Sequence, residues 1–200
     1  MSKMNDDHLK RLNQAGKDWA SMTEEEQIEQ REKWDAIVSN PDNLNCTCPR
    51  TFCRMNRNCR NCVALNRYYD CLPDCVRDIA EKMQDGIPAN KKFDLHSKMQ
   101  ASGRPPGSID PTEDANTSRE RLHKLDTPEL VRARFANWDS VVKSSKNTAC
   151  KCPRTDCWYH GNCVKCTALH RYFDGFPECI RYIADGIEEH VKAYNQANKT

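Results

Sequence analysis

The chain lacks most of what marks a secreted, membrane-embedded or catalytic protein. Its opening residues, Met1-Ser-Lys-Met-Asn-Asp-Asp-His8, contain no apolar run and no small-residue cleavage site, so no secretory leader is expected there. Nowhere does it approach the roughly 20 apolar residues that a membrane helix needs. Aromatic residues are only 8% and charged residues 30%, which leaves little apolar surface for a conventional core. Neither a glycine-rich phosphate loop nor an H-E-x-x-H helix occurs, and these are the signatures of nucleotide and metalloprotease chemistry. Net charge is +2, from 31 basic and 29 acidic residues, too balanced to demand a polyanionic partner. A soluble cytoplasmic protein with no membrane contact is the expectation.

What the chain does have is cysteine, thirteen in 200 residues. Units too small to bury enough apolar area rely on disulfides or metal ions. In a reducing compartment clustered thiols serve more often as ligands than as stable disulfides.

The cysteines are arranged as a repeat. Sliding the sequence on itself by 104 residues places 46–80 on 150–184 without a gap, and 19 of these 35 pairs are identical. The match continues upstream, with Trp34-Asp35 on Trp138-Asp139 and Thr23 on Thr127. The expected fold is mainly α: two tandem, small, cysteine-rich helical units with irregular metal-ligating loops, joined by a flexible linker. The polar tail spans 1–21, the first unit 22–85, the Pro/Gly/Ser-rich linker 86–121 and the second unit 122–195. Thr127-Pro128 and the Thr23/Glu26 capping box predict the start of each unit's first helix. Val131, Phe135, Trp138 and Val142 lie on one face of that helix in the second unit, whereas Gln27 and Arg31 interrupt the face in the first. Ile180, Ile183, Ala184, Ile187 and Val191 predict an amphipathic last helix, echoed by Val76, Ile79, Ala80 and Met83.

Both units share C-x-C-x4-C-x5-C-x2-C-x12-C: Cys46, Cys48, Cys53, Cys59, Cys62 and Cys75, then Cys150, Cys152, Cys157, Cys163, Cys166 and Cys179. The second unit adds His160 and His170; on a helix, Cys163, Cys166 and His170 share one face. Its eight donors suffice for two closed tetrahedral zinc sites. One division puts Cys150, Cys152, Cys163 and Cys166 on one ion, and Cys157, His160, His170 and Cys179 on the other. The first unit carries Asn56 and Asn66 in place of the histidines and gains Cys71, a further candidate ligand with Cys53 and Cys75, where the second has Gly175. Three disulfides per unit use the same six cysteines equally well, and four thiolates also hold an iron–sulfur cluster, so these alternatives stand beside zinc.

The run Cys150-Lys-Cys-Pro-Arg-Thr-Asp-Cys157-Trp-Tyr-His-Gly-Asn-Cys163-Val-Lys-Cys166-Thr-Ala-Leu-His170, with Pro177 and Cys179, resembles a small prokaryotic cysteine-rich domain family of unknown function. The resemblance covers about thirty residues of each unit. It implies metal binding in a microbial cytosol and no particular activity. The first unit departs from that pattern at Asn56, Arg57 and Asn66.

No catalytic set stands out, because the thiols are numerous and evenly deployed rather than paired with a base. The expected role is a zinc-stabilised module that binds another protein, with Trp158 and Tyr159 as an anchor. An iron–sulfur electron carrier is the alternative. A nucleic-acid module is a further one, carried by Arg54, Arg57 and Arg60 beside Tyr68 and Tyr69.

Overall fold

The computed structural model describes residues 21–198 apart from 50, 52, 94, 96–98, 100–101, 103–119 and 122–123. The polar tail to residue 20 and most of the expected linker lie outside these. The described chain is mainly helical, with no strand among the described residues. Its α-helices are α1 (Glu24–Ser39), α2 (Pro41–Leu44), α3 (Cys59–Tyr68), α4 (Asp74–Met83), α5 (Pro128–Lys143), α6 (Ser145–Thr148), α7 (Cys163–Tyr172) and α8 (Arg181–Ala197).

The helix ends follow local chemistry. Thr23 and Glu26 form a reciprocal capping box on α1, with Thr23 N donating to Glu26 at 2.9 Å and Glu26 N to Thr23 Oγ1 at 3.2 Å. Thr127 caps α5, with Pro128 at its first position. Asn58 and Asn162 occupy equivalent places and cap α3 and α7. Both of these helices stop at an aspartate in the left-handed region, Asp70 and Asp174, each with φ of 51°. Just beyond, Cys71 N and Gly175 N reach back to the carbonyls of Asn66 and His170 at 2.8 and 2.7 Å.

Packing does not follow the repeat boundary. The first repeat's α1 and α2 pack on α7 of the second, and the second repeat's α5 and α6 pack on α3 of the first. Trp34, Ile37 and Val38 cover Cys157, Tyr159, Cys166, Leu169 and Phe173. In the mirror arrangement Trp138, Val141 and Val142 cover Cys53, Met55, Cys62, Leu65 and Tyr69. Shifting either set by 104 gives positions in the other. Such reciprocity is what an isologous dimer shows, here built inside one chain. The expectation of two separately packed units is corrected accordingly.

The main core is also shared. Val63, Leu72, Val76, Ile79 and Ala80 pack with Phe176, Ile180, Ile183, Ala184 and Ile187, joining α4 to α8. The apolar stripes expected for the last helices are thus buried against each other. The start of the expected linker departs from a mobile tether. Ile87 and Leu95 are buried, Phe93 N donates to the buried Gln84 side chain at 2.5 Å, and the Phe93 ring meets His190 edge-on at 6.0 Å. Apolar residues on this segment supply burial that favours its packing onto the helices.

Candidate metal centres

In each repeat the shared cysteines come from three places. Cys46, Cys48 and Cys53 lie in the loop after the helical hairpin, Cys59 and Cys62 in the first turn of α3, and Cys75 in the first turn of α4. Cys150, Cys152, Cys157, Cys163, Cys166 and Cys179 repeat this plan around α7 and the 3-10 turn before α8. No disulfide joins any of the thirteen.

Each group has the same interior. Burial raises the Cys62 thiol well above its ordinary range, and Cys75, Cys53, Cys59 and Cys48 around it add to the effect. Cys166 is raised in the same way, with Cys179, Cys157, Cys163 and Cys152 as its neighbours. The two neighbour sets coincide residue by residue under the 104-residue shift. Burial also pushes Cys75 up to about 11 and raises Cys59, Cys163 and Cys179. Thiols held this far from ionisation are poor nucleophiles. A cation reverses the preference, because cysteine ligates as thiolate. Among the described residues no three Cys, His, Asp or Glu side chains already stand as a metal-ligand set; the thiols are gathered rather than converged.

The histidine positions separate. His160 Nδ1 lies 3.8 Å from Cys150 Sγ and 3.0 Å from the Arg154 carbonyl oxygen. In the first repeat Asn56 Nδ2 sits 3.8 Å from Cys46 Sγ in the same way. The other position belongs to the buried end: Asn66 Nδ2 donates to the Cys62 carbonyl at 2.8 Å and lies 3.6 Å from Cys62 Sγ. His170 takes that place on α7, four residues after Cys166. Burial first, then Arg181 and Arg154, lower its pKa to about 4, leaving the neutral imidazole that can ligate. Cys150 and His160 thus sit together, whereas the division expected from sequence put them on different ions. Helix spacing puts His170 on the same helix face as Cys163 and Cys166 but says nothing of the loop that returns His160 to Cys150.

Cys71 is the remaining thiol of the expected ligand set. It is buried in the turn before α4, and its thiol donates to the Tyr69 carbonyl at 3.3 Å.

Acidic and basic residues at matching positions beside the clusters had no expected part in them. Cys48 Sγ donates to Asp74 Oδ2 at 3.2 Å, and Asp74 is salt-bridged to Arg77. In the second repeat Glu178, at the position equivalent to Asp74, pairs with Arg181 at 2.8 Å. Arg67 and Arg171 each reach into the opposite repeat. Identity or like charge at matching positions was the available signal.

The residues expected to meet a partner are largely engaged within the molecule. Tyr159 is only 3% exposed and its hydroxyl donates to Asp35 at 2.7 Å, so it is no surface anchor; Trp34 and Val38 close over it. Trp158 is 60% exposed, with the Arg31 guanidinium 5.0 Å from its ring. Arg54 bonds Asp139 at 3.0 Å and stacks 5.3 Å from Phe135, and Arg60 donates to the Thr148 carbonyl at 3.1 Å. Arg57 is exposed and lines, with Cys59, Arg60, His160, Asn162 and Cys163, an open cleft where α3 and α7 begin.

No protein-family model matches the chain, and no curated protein or solved structure shows significant similarity to it. Among the described residues no helix is long and apolar enough to cross a membrane.

Proposed function

We propose that the protein is a non-enzymatic cytoplasmic scaffold whose two cysteine clusters are closed by zinc ions, and that it serves as an interaction module for another protein. The observation that supports this is the matched set of four thiols around Cys62 and four around Cys166. Gathered thiols of this kind suit a divalent ion, which binds them as thiolates. Tetrahedral sites that use every donor leave no open position for catalysis. Tyr68 and Tyr172, at equivalent positions, remain 56% and 54% exposed and, with Trp158, offer aromatic surface for a partner.

Elemental analysis of the reduced full chain, followed by chelation, tests the reading. Bound zinc, with loss of helical circular dichroism on chelation, is the expected result. Iron with acid-labile sulfide would move the function to electron transfer. Labelling of denatured, metal-free protein that finds six blocked cysteine pairs would replace ions by disulfides. The cleft lined by Arg57, Arg60 and His160 favours a second reading, nucleic-acid binding, which a steep salt dependence of oligonucleotide affinity would support.

A further inference from the structure

The exchange of helices between repeats has an electrostatic counterpart at the clusters. Arg171, on α7 of the second repeat, donates to the Asn43 carbonyl, to the Asn45 carbonyl at 3.2 Å and to Thr47 Oγ1 at 3.2 Å. Those groups flank Cys46, so Arg171 holds the loop that delivers Cys46 and Cys48. Arg67, its equivalent on α3, donates to the carbonyl of Asn147 and, at 3.3 Å, to that of Ala149. These are the residues leading into Cys150. Each arginine therefore serves the cluster of the repeat it does not belong to.

The helix bearing each arginine begins at its own repeat's C-x2-C pair. Cys59 and Cys62 form the first turn of α3, and Arg67 lies in its last; Cys163, Cys166 and Arg171 stand in the same relation on α7. An ion on the cysteine pair secures the first turn of a ten-residue helix, a length at which an isolated helix is marginal. Securing it places the arginine. The arginine then holds the opposite cysteine loop and offsets the negative charge that several thiolates leave around a divalent ion.

Resting on the zinc reading above, we propose that Arg67 and Arg171 are positioning residues that couple the two clusters, so that loading one favours loading the other. By linkage the coupling is reciprocal, and its expected size is about tenfold in affinity.

The test is a zinc titration of the reduced, metal-free full chain, followed by native mass spectrometry. At half-saturation the metal-free and fully loaded species should dominate, with partly loaded species below their statistical share. R67M and R171M should restore the partly loaded species. Alkylation mapping supplies a readout that a general loss of structure would not give. R171M should expose Cys46, Cys59 and Cys75 of the first repeat before the cysteines of its own, and R67M the converse. Partly loaded species at their statistical proportion in the unaltered chain would overturn the coupling while leaving zinc binding intact, whatever the variants do. First exposure of Cys163 and Cys166 in R171M would also overturn it. Absence of zinc binding at any ratio would remove the zinc reading itself, and this inference with it.

Discussion

The exchanged packing is tested most directly by the residues that differ between repeats. Arg31 stacks on Trp158 at 5.0 Å, and Phe135 receives Arg54 at 5.3 Å. Positions 31 and 135 are equivalent, as are 54 and 158, so the two contacts use the same pair of sites with the partners reversed. If each helix covered its own repeat's loop, Arg31 would face Arg54 and Phe135 would face Trp158. Exchange puts a cation on an aromatic ring in both places. The variant W158R should bring two guanidinium groups together and lose a cation–π contact of about 0.5–1 kcal/mol. Adding R31F recreates the arrangement of the other interface. The double variant should then be more stable than the sum of its singles predicts by about 1 kcal/mol, roughly fivefold in the unfolding equilibrium. Urea unfolding of the four proteins in reducing, zinc-containing buffer measures this. Additivity within about 0.3 kcal/mol, or coupling of Arg31 to Arg54 instead, would refute the exchange.

Leu72 is fully buried in the core shared by both repeats, so L72A should cost about 3 kcal/mol and lower a single calorimetric transition; two transitions, only one of which moves, would contradict a common core. Arg57 holds φ of 63° where the second repeat has Gly161 at 78°, and R57G should raise the unfolding free energy by about 1 kcal/mol in denaturant titration. Burial and hydrogen bonds to Asp35 and Asp70 raise the pKa of Tyr159 and Tyr182 above the ordinary 10.0. Because the fold favours the neutral phenols, their contribution to stability is complete below about pH 10 and is lost as pH climbs beyond it. Y159F/Y182F should accordingly move alkaline unfolding, followed by circular dichroism, to higher pH; an unchanged midpoint would count against the fold holding these two phenols neutral.

Much of the local architecture was legible because its causes are local. Thr23 with Glu26, and Thr127 with Pro128, announce helix starts through backbone groups within one turn. Ile180, Ile183, Ala184 and Ile187 declare a buried face by spacing alone, and the face is buried. The return of His160 to Cys150 was not legible, since a loop's path depends on left-handed residues at Gly161 and Arg57 and on contacts outside it. Nor was the fate of Tyr159, whose hydroxyl is satisfied by Asp35, 124 residues away in the chain.

By itself the sequence determined the helices, the repeat and the grouping of thiols by spacing, because capping, periodicity and C-x2-C turns act over a few residues. Only the tertiary structure decided which helix covers which cluster. Trp34, Ile37 and Val38 match Trp138, Val141 and Val142 so closely that covering the near cluster or the far one buries similar apolar surface, and apolar burial has no direction of its own. Directional groups discriminate: Arg67 and Arg171 reaching specific carbonyls, Tyr159 reaching Asp35, and a cation set against an aromatic ring at each interface.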